Sequence, residues 1–123
     1  MIKLVYCLRK RTDVPADEFY TYWRQKHGPL VRSFAEALRA RRYVQSHTID
    51  SELNQQLTEG RGMAPAYDGI TEVWWDNLEE LRAGLGSEAG ATAGRALMED
   101  EARFIDVSQS RIFLTEEHEI FDR

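Results

Sequence analysis

An α+β domain with its elements in the order βαββαβ is the fold this chain predicts, on two observations. Short apolar runs recur at Ile2 to Leu8, Arg42 to Ile49, Ile70 to Trp75 and Arg111 to Leu114, and none contains glycine or proline. Two stretches of helical periodicity separate the first run from the second and the third from the fourth. Right-handed βαβ-like units in that order close a four-stranded antiparallel sheet with both helices on one face. At 123 residues the chain is read as a single domain over residues 1–123.

Each element has a local cause. Ile2 to Leu8 carries apolar side chains at odd and even positions, which calls for burial on both faces and a central place in the sheet. After Thr12-Asp13-Val14-Pro15, the residues Phe19, Tyr22, Trp23, Leu30, Val31, Phe34 and Leu38 recur at helical spacing, with Asp17 and Glu18 in the first turn. Arg42 to Ile49 is β-branched and aromatic. From Asp50 to Asp68 the chain is polar, with Gly60, Gly62 and Pro65, a long connection holding at most a turn or two of helix at Leu53 and Leu57. Asp76-Asn77 caps a helix from about Leu78; Gly84 and Gly86 interrupt it and Ser87 restarts it, with Ala93, Leu97 and Phe104 as the buried stripe. Strands three and four show apolar residues on both faces while only one face has helices to cover it. The expectation is that two copies pack sheet to sheet with two-fold symmetry.

Composition narrows the function classes. A net charge of −5 disfavours nucleic acid and anionic membrane as partners, since both are gripped by clusters of Lys and Arg. Lys10-Arg11 and Arg39-Ala40-Arg41-Arg42 are local exceptions, read as solvated charge beside element ends in preference to an anion site. Cys7 is the only cysteine, which rules out an intrachain disulfide or a cysteine-based zinc site, and no other metal site is visible. The first apolar run is too short to span a bilayer and lacks a cleavage site, so a cytoplasmic protein is expected.

His27 is the residue on which function turns. Phe19, Trp23, His27 and Leu30 fall on one helical face, so the histidine points inward. Pro29 has no N–H for the carbonyl of Gln25, and Gly28 before it is expected to leave helical geometry; the helix should bend beside His27 and open a pocket. A core histidine satisfied by neighbouring polar groups is an equal reading. Tyr43, Gln45 and His47 alternate onto one face of strand two. If that face meets the helix the cluster is a polar pocket; if it meets a partner subunit, the same residues are interface hydrogen bonders. Tyr67 and Trp75 are candidates for closing the mouth, with Asp68-Gly69 a turn, and Glu72 falls on the face opposite Trp75.

Four motifs occur in order: Met1-Ile2-Lys3-Leu4-Val5-Tyr6; Glu18-Phe19 with Tyr22-Trp23-Arg24-Gln25-Lys26-His27-Gly28-Pro29-Leu30; Tyr67-Asp68-Gly69 leading to Glu72-Val73-Trp74-Trp75; and Asp100-Glu101-Ala102-Arg103-Phe104-Ile105-Asp106. In these the chain resembles the EthD family. The resemblance implies a ferredoxin-like fold whose two copies pack sheet to sheet as a dimeric α/β barrel. It also implies relatives that include cofactor-free lactone isomerases and polyketide dehydratases or cyclases, in whose pockets a histidine matching His27 and a tyrosine matching Tyr43 take part. The sequence departs from the isomerase pattern, with no histidine between Asp50 and Asp68 and Val73 in the place of a cysteine.

The functional expectation is a cofactor-independent lyase, isomerase or cyclase acting on an oxygenated ring or enolisable carbonyl compound in degradation or secondary metabolism. His27 would move the proton, Tyr43 would donate to the developing oxyanion and His47 would orient or relay. Trp23, Gln45, Tyr67, Val73 and Trp75 would contact the substrate. The alternative is a homodimer that binds a small hydrophobic or aromatic metabolite without converting it.

Overall fold

A computed structural model describes residues Met1–Arg123. Its strands are β1 (Ile2–Leu8), β2 (Arg42–His47), β3 (Gly69–Trp75) and β4 (Arg111–Glu116), joined in one antiparallel sheet of order β2-β3-β1-β4. β1 is central, paired to both β3 and β4, as its two-sided apolar pattern requires. Register fixes the faces. Leu4, Tyr6 and Leu8 of β1 share a face with Gly69, Thr71, Val73 and Trp75 of β3, with Tyr43, Gln45 and His47 of β2, and with Ile112 and Leu114 of β4. The helical regions that follow β1 and β3 cover that face. β2 ends at His47, two residues short of the expected Ile49, with a last backbone bond from Thr48 N–H to the Asp68 carbonyl beyond it.

The first helical region runs as α1 (Ala16–Tyr22), a π-helical turn (Trp23–His27), α2 (Gly28–Ser33) and α3 (Ala35–Leu38). Two sequence expectations are corrected here. Gly28 stays helical, at φ −55° and ψ −52°, and the chain passes through Pro29 without a break. The missing proline donor is absorbed one turn earlier: Gly28 N–H reaches Trp23 O, five residues back, so the π turn takes up the register that proline disrupts. The extra residue also shifts the helix phase, and of Leu30 and Val31, both expected on the apolar stripe, Val31 is buried and Leu30 only half-buried. The break falls later, at Phe34, and the region ends at Arg39 in the left-handed conformation, φ 59°.

α4 (Glu52–Glu59) occupies the β2 to β3 connection, capped by Ser51. The second helical region is α5 (Leu78–Gly86) and α6 (Glu88–Glu101), and the caps are those read from sequence: Asn77 accepts from Glu80 N–H and Ser87 from Gly90 N–H. A 3₁₀ turn at Val107–Gln109 leads into β4. Gly84 does not break its helix. It lies inside α5 where a Cβ would sit 2.1 Å from Leu38 O, so its role is to let α5 close on α3. The basic clusters are engaged: Lys10 Nζ donates to Val14 O, Arg39 and Arg41 pair with Glu80 and Asp76, and Arg42 lies over Trp74. No helix is long and apolar enough to cross a membrane.

The core beneath the helices is in two pieces. One gathers Leu8, Phe19, Trp23, Phe104 and Ile105; the other gathers Val73, Trp75 and Leu81. Glycine substitutions separate close packing from helix propensity. Gly84→Ala is expected to destabilise by about 1–3 kcal/mol through its clash with Leu38, whereas Gly94→Ala, inside α6 with open space around it, is expected to stabilise by about 0.5–1 kcal/mol. Urea denaturation of the two variants reads both signs.

Candidate active site

Between the two core clusters lies a band of polar side chains. Across the sheet it runs Gln45, Thr71, Tyr6, which face one another on adjacent strands, with Tyr43 one step along β2. The face of β2 therefore looks at the helices, not away from them. Gln45 Nε2 donates to Trp23 O at 2.8 Å and to the Tyr43 hydroxyl oxygen at 2.8 Å, and Gln45 Oε1 receives a hydrogen bond from His47 Nε2 at 2.8 Å. Trp23 O can only accept, so the amide orientation and the His47 tautomer both follow. Gly28 permits this approach, since a Cβ there would lie 3.2 Å from Gln45 Nε2.

Tyr43 is thereby prepared as a donor. Its oxygen already accepts from Gln45, and the Trp23 indole N–H and the Thr71 hydroxyl lie about the same oxygen, each favouring phenolate, although burial outweighs them and raises its pKa. Trp23 Nε1 stops short of hydrogen-bond geometry and is the one fully buried side-chain polar atom left without a partner. With neighbours supplying protons to its oxygen, Tyr43 keeps its own O–H for an acceptor.

His27 enters from the π turn, 5% exposed. Its Nδ1 is 2.7 Å from Asp100 Oδ2, and the Tyr22 hydroxyl donates to Asp100 Oδ1. The Phe104 ring packs at 5.1 Å from the imidazole. Burial lowers the His27 pKa, with the Asp100 hydrogen bond and charge opposing it, which favours the neutral ring with its proton on Nδ1. Nε2 then carries the lone pair. This is the arrangement of a general base: a neutral imidazole whose far nitrogen is held by a carboxylate.

A second carboxyl stands beside the first. Glu101, the last residue of α6, receives the Tyr6 hydroxyl on Oε1 at 3.2 Å. Burial raises its pKa to about 7, against the Tyr6 hydrogen bond and with the Asp100 charge contributing. Neither Asp100 nor Glu101, nor Tyr6 or Tyr22, was assigned to the site from sequence. One signal was available: Glu99, Asp100 and Glu101 crowd the last turn of α6, which has no basic residue, and the helix dipole disfavours acids at that end.

The other sequence candidates separate. His47 stacks on Trp23, ring centroids 4.3 Å apart and 6° from parallel, and bonds to Gln45. It can orient Tyr43 through the amide, but an amide link does not relay a proton. Tyr67 lies under the Arg9 guanidinium at 4.4 Å beyond one end of β3, whereas Trp75 is at the other, donating to Leu38 O from within the core. A seven-residue strand spans about 20 Å, so these two do not close one mouth. Val73 belongs to the apolar cluster beside Tyr43. No three His, Cys, Asp or Glu side chains converge as metal ligands. A surface groove of about 390 Å³ runs along the outer side of α1, and Tyr22 and Phe104, both in contact with the His27–Asp100 pair, are among its lining residues.

Glu101 makes stability depend on pH. Between its ordinary value of 4.5 and about 7 the folded chain holds a proton that the unfolded chain has released. Its contribution therefore falls as pH rises through that window, by an amount on the order of 3 kcal/mol. His27 acts oppositely, since its folded pKa lies below 6.5 and stability rises as the unfolded histidine deprotonates. Glu101→Gln removes the first effect and keeps the second. Urea unfolding at pH 5 and pH 8 is expected to show the variant gaining on the parent at the higher pH; parallel pH dependences would contradict a buried carboxyl.

The EthD domain model matches residues 11–108. A search of curated proteins returned no significant match. Among solved structures, an ethyl tert-butyl ether D (EthD) family protein of Bacillus halodurans C-125 superposes with a TM-score of 0.63 at 19% identity, covering 96% of this chain and 99% of that one. An EthD-like protein of Ralstonia eutropha JMP134 gives 0.62 at 16% identity, covering 94% and 89%. A dimeric protein of unknown function with a ferredoxin-like fold, from Bacteroides fragilis NCTC 9343, gives 0.59 at 12% identity, covering 94% and 95%. The likenesses to these structures are likenesses of fold. With the domain match over most of its length, the ferredoxin-like chain described here belongs to the EthD family.

Proposed function

We propose that the chain is a cofactor-independent lyase, isomerase or cyclase that removes a proton from carbon next to a carbonyl or enolic oxygen. The observation that carries this reading is the His27–Asp100 pair, 2.7 Å apart inside the helix layer. Asp100 fixes the tautomer and stabilises the imidazolium that forms when Nε2 takes the substrate proton. As the C–H electrons move into the carbonyl, negative charge gathers on its oxygen, and Tyr43 donates to it, its hydroxyl oriented by Gln45 and, through Gln45, by His47. Tyr22 and Phe104, which line the groove beside the pair, suit a flat ring.

Solvent deuterium exchange into the α-carbon of 6-hydroxy-1-tetralone, followed by proton NMR, tests the reading. His27→Ala is expected to lower the enzyme-dependent rate by about a hundredfold or more and Tyr43→Phe by a similar factor. Asp100→Asn should lower it about tenfold to a hundredfold, and the rate should rise with pH as His27 becomes neutral. A folded His27→Ala protein that exchanges as fast as the parent overturns the assignment. The alternative, binding without conversion, is favoured by the near-complete burial of His27; tryptophan quenching by the ketone without any exchange would support it.

The chain is also proposed to act as a homodimer. The sheet face without helices carries Val5, Val44, Ile70 and Phe113, with Ile70 and Phe113 37% and 48% exposed. A Lys3–Glu72 ion pair at 2.8 Å lies among them. Two such faces packed together bury the apolar residues around a paired charge. Sedimentation equilibrium is expected to give a dimer, and Phe113→Asp a monomer.

A further inference from the structure

We infer that Tyr6 and Glu101 form a second oxygen-binding subsite, which holds an enolate or phenolate oxygen of the ligand through the Glu101 carboxylic acid. The geometry sets it apart from the His27 pair. Asp100 and Glu101 are adjacent on α6, yet Asp100 turns to α1 and the π turn while Glu101 turns to β1, so the two carboxyls serve opposite sides of the polar band. Tyr6 donates to Oε1. The acid proton is then carried on Oε2, which has no partner within the chain. A carboxylic acid in that position is a hydrogen-bond donor, the one form of a carboxyl that an anionic oxygen can approach.

The subsite has a way in. Ile112 and Leu114 of β4 lie on the same sheet face as Tyr6 and Leu4, directly across the strand pairing. They are 57% and 47% exposed because the helix layer stops short of β4. An apolar shelf therefore leads from the sheet edge to Tyr6 and Glu101, and a ligand with a hydrocarbon body and one acidic hydroxyl matches both parts. The groups facing Glu101 are Tyr6 from β1, Asp100 from its own helix and Tyr43 from β2; its pKa, raised to about 7, keeps the acid form populated near neutrality. None of these neighbours is a cation that would hold Glu101 ionised.

The inference deepens the proposed activity and rests on it only for what the natural ligand is. The probe is 4-nitrophenol, titrated into the full chain at pH 8 by calorimetry in two buffers of different ionisation heat. Wild type is expected to take up close to one proton per phenolate bound, and Glu101→Gln close to none. Tyr6→Phe should loosen the probe severalfold while keeping the uptake. On the unmodified chain, the Glu101 carboxyl carbon followed by NMR should shift its titration to higher pH when the probe is added. Absence of binding, equal uptake in Glu101→Gln, or an unmoved titration overturns the subsite. With His27→Ala, exchange into the tetralone is lost and proton-linked binding persists. Proton-linked binding without exchange in wild type therefore overturns the catalytic reading alone, and exchange without uptake overturns the subsite alone.

Discussion

The carbonyl oxygen of Trp23 holds the site together. It takes the N–H of Gly28, which makes the π turn, and the amide of Gln45, which ties that turn to β2. A helix interior carbonyl ordinarily takes one backbone donor and has a second lone pair to spare; here a side chain from the sheet takes it, in a partly buried place where such a bond is costly to leave unmade. The same amide group passes its second proton to Tyr43 and its oxygen to His47. One interaction thus sets the pitch of the helix, the depth of His27 and the direction of the Tyr43 hydroxyl.

Around that contact the core is organised by polarity. The apolar clusters at either end of the sheet exclude water from the band between them, and the exclusion gives the band its chemistry: it favours neutral His27, keeps Glu101 partly protonated near neutrality and holds the tyrosines as phenols. Buried polar groups of this number would weaken a fold that left them unpaired. Most are satisfied by one another, and those with spare capacity, His27 Nε2, Glu101 Oε2 and the indole N–H of Trp23, belong to the same band.

What could be read from the sequence was what local chemistry decides. The strands followed from runs of apolar and β-branched residues, and the caps at Asn77 and Ser87 from side chains that satisfy donors three residues away. The alternation of Tyr43, Gln45 and His47 was visible too, but which way that face looks depends on pairing with β3 and on helices 20 residues or more away in sequence. Gly28 and Leu30 were misplaced because the π turn shares its Trp23 carbonyl with a side-chain donor from the sheet, Gln45, and periodicity assumes an unbroken 3.6-residue turn. Asp100 escaped because its partners, His27 and Tyr22, lie 73 and 78 residues away, a separation that no spacing rule spans.

The π turn has a consequence for how this helix can change. One residue more than an α turn requires is stored between Trp23 and His27, so everything after it is rotated by about 100° relative to everything before. Arg24, Gln25 and Lys26, the residues between Trp23 and His27, are exposed. Their number is not free. Losing one would let the turn relax to ordinary pitch, swing Val31 out of the core and carry the imidazole off its carboxylate. The segment is in this sense a spacer, strict about length.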